Sequence, residues 1–346
     1  MTVYIGVDFH PHQQTVCYCD TTNGIIQWKT MQHDKRAELR EFYRQFGGEV
    51  IIGLDAGGPS QWFEELIEEL SYKLLYGDSS EIRRRARSRH KNDKRDAELL
   101  LDLLVRQEFP SLWRRSAENE QVLCQIRFRD RLVRQRTRVC NQLQALGHRA
   151  GLPRQRMQTS IARKRLCEVE MYEPQSIQRK HWFEILDDLT GRIAEVERWL
   201  SRKVVECPQA RLLITQPGVG VLTALSIAHT LGDVSRFSGS RKVVAYVGLD
   251  PLEDSSGDRK RFGRISKAGS RMLRFLLGQA GQASLKRDSE MKEFYQQLSQ
   301  RRGKSSAKVA VARKVLVRSF IMMRDRIDYE EFLRRRRRSQ FVRGAQ

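Results

Sequence analysis

Val3-Tyr4-Ile5-Gly6-Val7-Asp8 decides the fold: an apolar run reads as a buried strand, and the strand delivers a carboxylate at its end. Thr15 to Cys19 reads as a second strand, and Asn23-Gly24 is a hairpin turn signal before a third, Ile25 to Thr30. Leu39, Phe42, Tyr43 and Phe46 recur at helical spacing until Gly47-Gly48 stops the helix. Val50-Ile51-Ile52-Gly53-Leu54 is a fourth strand and again ends in a carboxylate, Asp55. Ser60 is placed to cap a helix with Trp62, Phe63, Leu66, Ile67 and Leu70 inward, and Lys73 to Tyr76 is a fifth strand.

The predicted order β-β-β-α-β-α-β-α is that of an RNase H-like (RuvC-like) α/β domain. In that architecture the first and fourth strands are neighbours, which brings Asp8 beside Asp55. Lys91 to Ala97 then opens a helix with an apolar stripe at Leu100, Leu103 and Leu104. Asp93 and Asp96 are three apart and project from one face of its first turn. Four carboxylates converging on one point repel one another unless cations bridge them. Two Mg²⁺ ions about 4 Å apart are the arrangement that clamps a scissile phosphate. Taken singly, each aspartate reads as an ordinary strand-end or helix-cap residue; it is the four in this strand order that point to a metal site.

Charge points the same way. The 346 residues carry a formal net charge of +22, which calls for a polyanionic partner. The charge is unevenly placed: residues 1–60 hold 5 bases and 7 acids, whereas residues 114–166 hold 14 bases and 3 acids. The carboxylates therefore sit apart from the strongest positive field. No apolar run approaches the roughly 20 residues that span a bilayer, and the N-terminal residues lack signal-peptide character, so a cytoplasmic, nucleoid-associated protein with no membrane partner is expected. The six cysteines are scattered without a C-x-x-C, and Cys17 and Cys19 share a strand face suited to packing.

The middle segment is helical. Leu132, Val139, Leu143 and Leu146 form one stripe, ringed by Arg127, Arg129, Arg131, Arg134, Arg136 and Arg138, candidate nucleic-acid contacts. Gly151-Leu152-Pro153 breaks this helix. Trp182, Leu186, Leu189, Ile193, Val196 and Leu200 alternate steps of four and three, the seam of a coiled coil. The two helices are expected to pair within or between chains, as a projecting coiled coil or as a plain bundle. Further on, Pro217-Gly218-Val219-Gly220 between two helices is a helix-hairpin-helix-like turn, whose Gly218 and Gly220 backbones can approach a phosphate. Ser255-Ser256-Gly257 precedes a dense set of candidate phosphate clamps, Arg259, Lys260, Arg261, Arg264 and Lys267. Arg334 to Arg338 reads either as a solvated tail or as a nucleic-acid grip. The expected division is a metal-binding domain at 1–113, a basic helical coiled-coil segment at 114–206, a mainly α domain at 207–300 and a basic helical extension at 301–346.

Taken together, Ile5-Gly6-Val7-Asp8, Gly53-Leu54-Asp55-Ala56, the K-x-D-x-x-D-A of Lys91 to Ala97, Pro217 to Gly220, Ala245 to Pro251, Ser256-Gly257 and Gly263 to Gly269 resemble the insertion-sequence 110 family of transposases and the related Piv-type DNA invertases. The likeness covers nearly the whole chain. It implies a RuvC-like domain joined to a transposase domain that supplies a nucleophilic serine, here Ser256, with Ser255 as the neighbouring alternative. It implies DNA as substrate, a structured noncoding RNA pairing with donor and target DNA, and a dimer or tetramer. The family's acidic positions read Asp, Glu, Asp, Asp. Here the second is Asp55, whose carboxylate reaches about 1.5 Å less far. The alternatives are a metal-dependent junction nuclease that hydrolyses DNA without a covalent link, and a non-catalytic nucleic-acid-binding derivative. Tyr246 stands in an apolar stretch that suits core packing.

Overall fold

The computed structural model of the chain describes residues 1–56, 61–86, 92–253 and 262–344. It resolves into two compact units, Met1–Arg114 and Arg115–Gln346.

In the first unit the five expected strands form one sheet. They are β1 (Thr2–Phe9), β2 (Gln13–Asp20), β3 (Ile26–Gln32), β4 (Glu49–Asp55) and β5 (Lys73–Gly77), in the order β3-β2-β1-β4-β5. β1 runs antiparallel to β2 and parallel to β4, in a register that pairs Gly6 with Gly53 and Val7 with Leu54. The next step of that register sets Asp8 beside Asp55. Alternation along β1 sorts its side chains. Val3, Ile5 and Val7 are fully buried among Leu39, Phe42 and Tyr43 of α1 (Arg36–Arg44) and Phe63, Leu66 and Ile67 of α2 (Gln61–Glu69). Tyr4, Gly6 and Asp8 lie on the other face, where α4 (Asp93–Val105) packs across β1 and β2 with Ala97 and Leu101 against Cys17. The paired cysteines of β2 thus serve packing, and all six cysteines are free.

Gly6 sets how closely α4 can come. A Cβ there would lie 2.3 Å from the Ala97 carbonyl oxygen and 2.5 Å from the Leu101 nitrogen, so only a residue without a side chain lets the helix backbone rest on the strand. One element was not foreseen: α3 (Ser79–Arg85), a short polar helix between β5 and α4. Asp78 caps it, accepting from the backbone N–H groups of Ser80 and Glu81 at 2.8 and 3.1 Å. The D-x-x-E of Asp78 to Glu81 was its local signal, but the helix has too few apolar residues to show a periodicity.

Among its described residues the second unit is helical apart from one short hairpin. α5 (Ala117–Arg149) and α7 (Glu173–Glu206) are the two long helices foreseen, with α6 (Ser160–Glu168) between them. Their seams meet within one chain. Leu132, Val139 and Leu143 share a core with Leu186, Leu189 and Ile193, while Val122, Leu123 and Ile126 join Leu200 and Val204 in the larger core. The start of α5 therefore lies against the end of α7, an antiparallel pair. The larger core is completed by α8 (Pro208–Ile214), α9 (Val221–Leu231), α10 (Ser240–Val247), α11 (Arg271–Ser284) and α12 (Ser289–Asp325), which passes residue 301 and is kinked at Gly303, where φ is +80°.

The arginine run 334–338 is not a free tail but part of α13 (Tyr329–Gly344). Arg334 pairs with Glu330 at 2.6 Å, Arg335 with Glu331 at 2.9 Å, and Arg336 with Glu290. Glu290 is held down to about 2, first by the hydrogen bond from Arg336. The same network includes Arg318, 4% exposed, which reaches Asp288 at 2.5 Å and the Tyr329 hydroxyl at 2.9 Å. A buried guanidinium needs such partners, and the network fastens α13 to both ends of α12. Among the described residues no helix is long and apolar enough to cross a membrane.

Candidate metal centre

The C-terminal end of β1 and the first turn of α4 build the site. Asp8 is 15% exposed by its side chain and Asp93 is 42% exposed. Asn92 caps α4 by accepting from Lys94 N–H at 3.1 Å, which leaves Asp93 and Asp96 at the positive end of the helix, where carboxylates are favoured. His10 lies between the two chain segments. Its Nε2 is 3.1 Å from Asp8 Oδ2 and 3.6 Å from Asp93 Oδ1. Gln13 Nε2 donates to the other Asp93 oxygen at 3.5 Å.

One donor atom from each of Asp8, His10 and Asp93 lies within 4.8 Å of the other two, the sole such group of three among the described residues. Two carboxylates and an imidazole form a donor set that suits a divalent cation. Burial raises the Asp8 pKa, and the charges of Asp96 and Asp93 push it the same way against the opposing pull of His10. A cation at this point would relieve that electrostatic conflict.

The four expected aspartates are therefore only partly gathered. Asp8 and Asp93 come together, and Asp96 is near enough to act on Asp8 through its charge. Asp55 stands beside Asp8 in strand register, yet its Oδ1 accepts a hydrogen bond from Ser79 Oγ of α3, and it does not join the donor group. A glutamate would extend farther from that strand, whereas the shorter aspartate is met by the neighbouring helix. His10 escaped the sequence reading. The signal was its proximity: His10 follows Asp8 by two positions, just past the end of β1, where the chain turns back and the His10 N–H donates to the Gln13 carbonyl at 2.9 Å.

In the second unit, Ser256, its neighbour Ser255, and Arg259, Lys260 and Arg261 lie outside the described residues. The frame around them is clear. β6 (Pro251–Glu253) and β7 (Phe262–Ile265) pair antiparallel and hold the two ends of that segment together. Gly248, at φ +75°, would place a Cβ 2.2 Å from the Ala268 carbonyl oxygen. Ser266 Oγ bonds Asp250 Oδ1 at 2.5 Å, and Arg274 Nη1 donates to the carbonyls of Val247 and Gly269 at 3.0 and 3.3 Å, and to that of Ala268. The G-L-D-P and R-I-S-K-A-G motifs thus brace the base of the hairpin. Arg264 and Lys267 are exposed. Tyr246 packs edge-on to Phe237.

The remaining basic candidates divide. Arg129 pairs with Glu197 at 2.5 Å, Arg134 with Asp130 at 2.8 Å, and Arg127 with Glu120, while Arg131 and Arg138 are exposed and Arg136 has a buried Nε without a partner. The Gly218 backbone packs on α11, its Cβ position 2.3 Å from the Ala280 carbonyl oxygen, whereas Gly220 is the exposed N-cap of α9.

Two family models match this chain. One, described as "Transposase" and specific to the DEDD type of IS110 elements, matches residues 5–146 and so takes in the whole metal centre. The other, described as "Transposase IS116/IS110/IS902 family", matches residues 210–296, the hairpin and its helical frame. The chain carries the transposase domains of the IS110 family. A probable family 20 transposase of Pseudomonas aeruginosa is 28% identical over 89% of both chains. The transposase for insertion sequence element IS1111A of Coxiella burnetii is 26% identical, covering 90% of this chain and 86% of its own. The pilin gene-inverting protein of Moraxella lacunata is 26% identical over 70% of this chain and 69% of its own. These matches support a DNA-modifying enzyme, and the DEDD-type domain fits the use of a divalent metal.

Proposed function

We propose that the chain moves an insertion sequence by cutting and rejoining DNA through a covalent bond to Ser256, with Mg²⁺ held by Asp8, Asp93 and Asp96 and by Asp55 once Ser79 releases it. The observation that carries this reading is the Asp8–His10–Asp93 donor group at the strand end of a DEDD-type transposase domain. When bound, divalent ions polarise a phosphodiester and stabilise the charge that develops on its oxygens. The protein's own part is to hold the acids in place, through Gly6 and the capped start of α4, and to supply the serine from the segment that follows β6 in sequence. The Ser256 oxygen forms a bond to phosphorus as one bridging phosphorus–oxygen bond of the DNA breaks. The seryl proton is lost and the released DNA end leaves as a hydroxyl. The phosphoserine bond keeps the energy of the broken one, so reversal onto a new end needs no ATP.

Arg264 and Lys267, with Arg259, Lys260 and Arg261 beside them in sequence, are the phosphate clamps in this reading. Arg131 and Arg138 add further exposed basic side chains on α5. A structured noncoding RNA pairing with donor and target DNA, and a dimer or tetramer, complete the proposal. The net charge of +22 supports a large polyanionic partner. The test is metal removal. Protein purified with its RNA and given matching DNA is expected to join strands in Mg²⁺, to lose joining in EDTA, and to regain it when Mg²⁺ returns. Joining that persists in EDTA contradicts the reading.

A further inference from the structure

We infer that His10 is itself a metal ligand, and that the centre is a mixed site of one imidazole nitrogen and aspartate oxygens, formed while Ser79 holds Asp55 apart. This deepens the metal-dependent reading above and rests on it.

The geometry comes first. Ligands about 2.1 Å from an ion and at right angles to one another are separated by about 3 Å. His10 Nε2 stands 3.1 Å from Asp8 Oδ2 and 3.6 Å from Asp93 Oδ1, so the same ring nitrogen faces both acids. A histidine serving only as an ion-pair partner needs one carboxylate, whereas this one is aimed between two. The second observation is Asp55, whose Oδ1 is occupied by Ser79 Oγ and which lies outside the donor group. Asp55 is thus held apart from the donor group, and His10, two residues beyond Asp8 and just past the end of β1, supplies a third donor beside Asp8 and Asp93.

The chemistry then differs from that of an all-oxygen site. Mg²⁺ prefers oxygen ligands and sheds water reluctantly, whereas imidazole suits later divalent ions. With an ion bound, His10 would donate its Nε2 lone pair to the metal in place of the hydrogen bond that Nε2 makes to Asp8 Oδ2 at 3.1 Å. The site is expected to bind Mn²⁺ and Co²⁺ more tightly than Mg²⁺.

The test uses the full chain and Mn²⁺ alone, read by electron paramagnetic resonance. Wild type is expected to bind Mn²⁺ and to show the hyperfine signature of a directly bound nitrogen. His10→Ala should weaken Mn²⁺ binding about tenfold or more. His10→Asp should keep binding within a few-fold and lose the nitrogen signature, which separates ligation from mere support of the fold. Asp8→Asn should abolish binding in either case. If Asp8→Asn abolishes binding while His10→Ala leaves affinity and spectrum unchanged, the centre stands and His10 is only an ion-pair partner, which overturns the inference. If wild type binds no Mn²⁺, the inference and the metal-dependent reading fall together.

Discussion

Asp8→Asn is expected to lower DNA joining by about a thousandfold or more while leaving the fold intact. Removing one preorganised group that stabilises developing charge costs a factor of about 10²–10³, and a charged metal ligand contributes at least as much. Stability should move the other way. Burial and the neighbouring charges of Asp96 and Asp93 raise the Asp8 pKa in the folded protein. A carboxyl with a raised folded pKa contributes fully below its unfolded pKa and loses that contribution as pH rises through the folded value. At neutral pH and without metal, the Asp8 carboxyl therefore opposes folding, and the amide removes that opposition. Thermal unfolding in EDTA should show the variant equal to or more stable than wild type. Added Mg²⁺ should stabilise wild type alone. A variant that joins DNA at a tenth of the wild-type rate, or that still gains stability from Mg²⁺, contradicts the assignment.

Gly6→Val should damage both stability and joining. The position carries no chemistry, but its Cβ would fall 2.3 Å from the backbone of α4. Neither backbone can yield locally, so the helix must lift from the sheet and carry Asp93 away from Asp8. The expected destabilisation is about 3 kcal/mol or more, toward the upper end for overpacked cores. Gly47→Ala is the control, because nothing lies within 4 Å of its Cβ position and little change is expected. Urea unfolding and the joining assay together check both. Should Gly6→Val unfold like wild type, the close packing of α4 on β1 is not what holds the acids together.

The sheet was legible because its central strands are nearly pure apolar runs. Val3 to Val7 and Val50 to Leu54 each end in an aspartate, and β1 and β4 lie in the register that this implies. Asp93 and Asp96 were legible from helical spacing, since the first turn of α4 needs no tertiary information to place both on one face. The withdrawal of Asp55 was not, because it depends on Ser79 from a short polar helix with no apolar period. His10 was not legible because it lies past the end of β1, in a turn whose path no periodicity sets. The arginine run at 334–338 looked like a solvated tail or a grip because its partner Glu290 is 46 positions from Arg336. Sequence gives a charge run but not the distant acid that answers it.

The central claim is a serine-linked transposase, and a denaturing-gel trap tests it most directly. Protein co-purified with its RNA would be given matching DNA and Mg²⁺, and wild type compared with Ser256→Ala. The account predicts a protein–DNA adduct that survives denaturation in wild type and is absent from the variant. An adduct that persists in Ser256→Ala, or cleavage by wild type with no adduct at all, would contradict it.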